Sequence, residues 1–203
     1  LGFFDAGDRA AFWRCLREQE PDLVLMSPEC RPFSILMNSN WNKMDPQEVL
    51  RIRTRGMAMF QFCIQVAAYQ LQRGRHFWIE QPALASSLAT HASQRLMSQF
   101  GVFLVQFDQC AAGLSVLPGL LSKKPTCCIT NHLGIIRELS KLVCSGDHPH
   151  VPLQGGLPAK AQEYPVGLVS ALLDGIRWWL RRSNSWSLFN GVEEDAFENE
   201  QAL

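Results

Sequence analysis

Residues 22–34 read DLVLMSPECRPFS, and their reading decides the fold. DLVLM (22–26) is a short apolar run of the kind that becomes a strand buried in a parallel sheet. SPECRPFS (27–34) cannot prolong it, because Pro28 and Pro32 each remove a backbone donor and fix φ. These residues are expected to form a tight loop at the strand's C-terminal end, with Cys30 near its middle.

The pattern extends outward from that strand and loop. Upstream, residues 8–19 (DRAAFWRCLREQ) space their apolar side chains as a helix does, and Pro21-Asp22 ends it. Downstream, residues 35–45 are polar and irregular, with asparagines at 38, 40 and 42. A long helix is expected from Asp45-Pro46 to about Gln72, with proline at its first position and Arg73-Gly74 as its stop. HFWIE (76–80) is the second strand and Gln81-Pro82 its breaker. A helix over 84–99, a strand VFLVQFD (102–108), a loop AAGLSVLPG and a strand TCCIT (126–130) follow. GDHPHVPLQGG (146–156) is dominated by turn residues, and a last helix over 161–182 carries Leu168, Leu172, Ile176, Trp179 and Leu180. Strands separated by helices predict one α/β domain: a Rossmann-like, doubly wound, mostly parallel sheet. It should occupy residues 1–182, with 183–203 as an acidic, disordered tail.

Bulk properties narrow the classes. At 203 residues, 47% hydrophobic and 19% charged, the chain can bury a core, and wholesale disorder is excluded. No apolar run reaches transmembrane length, and seven scattered cysteines without a signal-peptide pattern argue against a disulfide framework. The expectation is a reducing intracellular compartment, nucleus or cytoplasm, with no membrane partner. The net charge is zero but uneven. Lys43, Arg51, Arg53, Arg55, Arg73 and Arg75 gather within residues 43–75, and 193–200 is the acidic run EEDAFENE. The chain opens LGFFDAGDRAAFW, which reads as the middle of a longer sequence.

Two loops are chemically conspicuous. In a parallel α/β sheet all strands present their C-terminal ends at one edge, where ligands bind. One such end offers Cys30 and the next offers Glu80, so one cleft can hold both. A thiol and a carboxylate there suit covalent attack on an electron-poor ring: the thiolate adds, and the acid donates to the ring nitrogen that gains charge.

Ser27-Pro28-Glu29-Cys30-Arg31-Pro32-Phe33-Ser34 resembles the Pro-Pro-Cys-Gln-x-Phe-Ser loop of DNA cytosine-C5 methyltransferases. Ile79-Glu80-Gln81-Pro82 resembles their Glu-Asn-Val motif at a comparable place. Residues 107–114 and 123–126 also resemble segments of retroelement-encoded members of this S-adenosylmethionine-dependent superfamily. The resemblance implies a partial methyltransferase fold and a nucleic-acid partner, DNA in the first instance. It gives Cys30 the attack on C6 of a flipped-out cytosine and Glu80 the hold on N3 and the exocyclic amine. Pro28, Arg31, Ser34, Gln81, Lys123 and Lys124 would contact substrate. S-adenosylmethionine would supply the methyl group, but the family's Gly-rich cofactor loop has no counterpart in these residues, so cofactor-binding positions stay unassigned. The alternative is a non-catalytic fragment of a retroelement polyprotein that binds nucleic acid.

Other residues invite blander readings. Arg51, Arg53 and Arg55 spread around their helix as a solvated face would, and Trp178-Trp179 suits packing of the last helix. His76 or His132 could serve Cys30 as base in a cysteine hydrolase, but no Gly-rich oxyanion turn adjoins Cys30, and His76 starts its strand, at the opposite edge. Cys144, His148 and His150 have the look of metal ligands, with Cys127, Cys128 or His132 able to complete a structural zinc site.

Overall fold

The computed structural model describes residues 6–183. Helix α1 (Ala6–Gln19) leads into β1 (Leu23–Met26), after which the Cys30 loop, a 3-10 turn (Ile35–Met37) and the short α2 (Asn38–Trp41) reach the long α3 (Pro46–Gln72). Asp45 caps α3 with one carboxylate oxygen that accepts from the backbone amides of Gln47 (2.9 Å) and Glu48 (3.1 Å), and Pro46 takes the first turn, where no amide is needed. Strand β2 (His76–Pro82), helix α4 (His91–Met97) and strand β3 (Phe103–Asp108) follow. Then come a hairpin of β4 (Ser115–Leu117) and β5 (Leu120–Leu121), strand β6 (Pro125–Thr130), and helices α5 (Leu133–Leu139), α6 (Leu157–Lys160) and α7 (Val166–Arg182). The proposed tail beyond residue 183 lies outside the described residues.

The α/β class holds, and the mostly parallel pairing does not. Among the described residues the main sheet has the order β1-β2-β6-β3, and only β1 and β2 pair in parallel. β6 runs antiparallel to both β2 and β3 and separates them. The physical reason lies in the connection. A parallel return needs a crossover of a dozen or more residues, usually a helix. Residues 109–124 instead form a 3-10 turn and the β4–β5 hairpin, so the chain comes back alongside β3 in the opposite direction. The helix expected over 84–99 is likewise shorter, a 3-10 turn at Ser86–Ala89 and then α4.

Alternation along β2 sends its side chains to two separate cores. Phe77 and Ile79 pack with Leu16, Phe60, Cys63, Val66 and Leu96, on the face covered by α1, α3 and α4. Trp78 packs with Val105, Phe107, Ile135, Leu139, Leu168 and Leu172, on the face covered by α5 and α7. Those two helices approach closely: a Cβ on Gly134 would lie 2.0 Å from the Gly175 carbonyl oxygen. Among the described residues no helix is long and apolar enough to cross a membrane.

Candidate active site and candidate metal centre

β1 stops opposite Ile79, so β2 runs on for three residues with β6 on one side and open space for the Cys30 loop on the other. Pro82 is tolerated there because its missing amide has no ladder partner to lose on that side. Glu80 therefore sits inside the strand, paired with Cys128, rather than in a loop after it. The Cys30 loop closes on itself, with the amides of Phe33 and Ser34 both donating to the Cys30 carbonyl at 3.0 Å. Three contacts seat it. Gln81, fully buried, donates to the Pro28 carbonyl (3.3 Å) and accepts from Ser87 Oγ (3.0 Å). The Phe33 carbonyl accepts from the Ser86 amide at 3.0 Å. Pro32 lies on α3 where Gly56 leaves room, since a Cβ at 56 would stand 2.2 Å from Pro32 Cγ.

This seating brings the two sequence-selected groups into one electrostatic environment. The Cys30 thiol is pushed above its ordinary range by burial, then by the Glu80 charge, while Lys124 pulls it down and Glu29 adds a small rise. Glu80, 6% exposed, is raised by burial and lowered by Lys124 and by the Tyr164 hydroxyl. Tyr164 Oη lies 2.5 Å from Ser27 Oγ, at the start of the Cys30 loop. Ser27, Cys30, Glu80, Lys124 and Tyr164 thus gather near the end of β1 and β2 as a candidate site. Burial of an acid favours its protonated form over what it would be in water, and a carboxyl so placed can pass a proton to a ring nitrogen.

The other nominated residues separate. Lys124 donates to the Ala161 carbonyl (3.0 Å) and serves this site, whereas Lys123 reaches the Asp108 carboxylate at 4.0 Å. Arg31 is exposed, and its charge is felt by Glu48, not by Cys30. Ser34 caps the 3-10 turn and borders a cavity of about 390 Å³ lined also by Phe33, Asn38, Trp41, Arg53 and Ser86; neither Cys30 nor Glu80 lines it. Much of the basic stretch is engaged within the chain: Arg51 with Glu48, Arg53 over the Trp41 ring, and Arg73 and Arg75 with Glu20. His76 and His132 meet each other and Trp179 at the start of β2, with burial lowering the His132 pKa to about 4, so neither is within reach of Cys30.

Cys144, His148 and His150 do converge, and the fourth member is Cys110. All four donor atoms lie within 4.8 Å of one another, a group that could hold a metal ion. Cys127, Cys128 and His132 are not part of it. The two cysteines are buried in β6, where Cys127 faces the Pro82 carbonyl (3.6 Å), and His132 Nδ1 caps α5 by accepting from the Ile135 amide (3.2 Å). Sequence reasoning missed Cys110, which comes from the turn after β3 and stands far from its partners in the chain. It also missed Tyr164, one of two tyrosines in a chain with twelve phenylalanines, where a retained hydroxyl beside Pro165 was the available hint.

No family model matches this chain, and no curated protein or solved structure matches it either.

Proposed function

We propose that this chain carries the nucleophile and base-binding half of a DNA cytosine-C5 methyltransferase-like activity, with Cys30 as nucleophile and Glu80 as the group on N3 of cytosine. The observation that supports it is the shared environment of these two side chains at the end of the parallel pair β1–β2. The Cys30 thiolate adds to C6, the ring electrons move toward N3, and Glu80 donates its proton there. C5 becomes nucleophilic, as methyl transfer or proton exchange requires. The Lys124 charge and the Tyr164 hydroxyl both lower the Glu80 pKa and so set how readily it gives up that proton. The base must leave its stack to reach a half-buried thiol, so a flipped or single-stranded nucleotide is the substrate form.

S-adenosylmethionine does not fit the residues described. The loops after β1 and β2 are proline-bearing and closed on themselves, and no glycine-rich turn opens at that edge. No step here runs through the methyl donor. The metal cluster is best suited to zinc: two thiols and two imidazoles form a soft, closed set that harder ions do not favour.

The addition step is testable without the donor, by release of tritium from C5-tritiated cytosine in a DNA oligonucleotide. Exchange by the wild-type chain that disappears in Cys30→Ser and drops in Glu80→Gln supports the reading. DNA binding without exchange would overturn it in favour of a non-catalytic nucleic-acid-binding fragment of a retroelement polyprotein.

A further inference from the structure

We propose that zinc on Cys110, Cys144, His148 and His150 is a structural clasp that also holds one wall of the Cys30 site. The donor geometry carries the first half. A tetrahedral ion with Zn–S of about 2.3 Å and Zn–N of about 2.0 Å sets sulfur–nitrogen edges of about 3.5 Å. Cys144 Sγ lies 3.8 Å from His148 Nε2 and 3.4 Å from His150 Nε2, so only a few tenths of an ångström separate this arrangement from that edge. The two rings meet edge to face at 4.6 Å and aim the same nitrogen at one sulfur. His148 Nδ1 is held at 2.8 Å by the Asp147 carboxylate, which keeps that proton on Nδ1 and leaves the Nε2 lone pair for the ion. Behind Cys144, its backbone amide donates to Asp108 (3.1 Å). Four protein donors leave no open position, the mark of a structural site.

The second half follows from what the ion would join. Cys110 belongs to the 3-10 turn Gln109–Ala112, and the neighbouring Gln109 amide donates to the Lys124 carbonyl (3.2 Å). The other three ligands lie in a segment with no helix or strand of its own before α6. That segment is fastened to the rest by few bonds, among them Val151 to the Leu121 carbonyl (2.8 Å), and by a small apolar cluster around Leu114, Val116 and Ala161. Past α6 the chain reaches Ala161, whose carbonyl accepts from Lys124 Nζ, and Tyr164, which bonds Ser27. The clasp therefore ties the strand end that carries Lys124 to the segment that carries Tyr164. This half rests on the Cys30–Glu80 site being the reactive one; the zinc half does not.

The test uses the full chain and two readouts. Metal analysis should find one zinc, and cobalt substitution should give the intense visible bands of a tetrahedral thiolate site; weak, octahedral-type cobalt bands or no retained metal would overturn the clasp. Iodoacetamide labelling, resolved by peptide mass spectrometry, then follows Cys30 in zinc-loaded, chelated and zinc-restored protein. Chelation should speed Cys30 labelling several-fold and zinc should reverse it, while buried Cys63 and Cys128 stay unlabelled and so report that the fold persists. An unchanged Cys30 rate in protein that does bind zinc would overturn the coupling. If the chelated chain unfolds, Asp147→Asn keeps all four ligands, should weaken zinc about tenfold, and should show the same Cys30 response at limiting zinc. Cytosine exchange is measured separately, so its failure leaves the zinc result standing.

Discussion

The molecule holds two exposed-to-chemistry cysteine sites that share almost nothing but sulfur. At Cys30 a single half-buried thiol feels a carboxylate and an ammonium group, whose charges shift it in opposite directions. At Cys110 and Cys144 two thiols meet two imidazoles, with four donor atoms within 4.8 Å of one another. Consecutive lysines serve the two regions separately, Lys124 at the first and Lys123 beside Asp108 at the edge of the second. Reactivity in this protein is therefore decided by what surrounds a thiol, not by how many thiols stand nearby.

Removing metal should separate the two regions most strongly. A ligand bound at a thousandfold excess over its Kd stabilises the native state by about 4 kcal/mol. In a chain of this size each kcal/mol moves Tm by about 2–4 °C. Calorimetry should thus show a fall on the order of 10 °C on chelation, whereas Cys30→Ser should leave Tm nearly unchanged with zinc present. Equal sensitivity of both would erase the distinction drawn between a structural and a reactive thiol.

The next effect belongs to the seat of the Cys30 loop. In Gly56→Ala the new methyl meets Pro32 Cγ at 2.2 Å, too close for either group to remain in place. Overpacking of this kind costs about 1–3 kcal/mol, and Pro32 sits two residues from Cys30. Chemical denaturation should register that loss, and Cys30 labelling should change while zinc content does not. A Gly56→Ala chain with unaltered Cys30 reactivity would show that α3 does not position the thiol.

The halves of this comparison differed in how plainly the residues announced them. DLVLM, the two prolines after it and HFWIE place Cys30 and Glu80 at one sheet edge, because a parallel pair needs only local patterns and a crossover helix. The direction of β6 was not legible: a run such as TCCIT is apolar whichever way it points, and the deciding feature is the hairpin before it. Cys144, His148 and His150 stood out because they share one turn-rich segment. Cys110 did not, since only the folded end of β3 brings it to them. Tyr164 is hidden for the same reason, as its link to Ser27 spans most of the chain.

The smallest effect tests the tuning of Cys30 itself. Burial is the main cause that raises this thiol, so the thiolate is scarce at neutral pH and labelling should climb with pH through a midpoint above the ordinary thiol range. Glu80 is the next cause upward and Lys124 the chief one downward, so their removal must act with opposite signs. Glu80→Gln keeps the side chain's shape and deletes the negative charge; labelling at pH 7 should quicken a few-fold and the midpoint should move down. Lys124→Met deletes the positive charge, and labelling should slow with the midpoint moving up. At pH well above all three midpoints the three rates should converge, because every chain is then fully thiolate. Parallel shifts in the same direction would mean that the variants act by loosening the wall rather than by charge. They would move the control of Cys30 from Glu80 and Lys124 to burial alone.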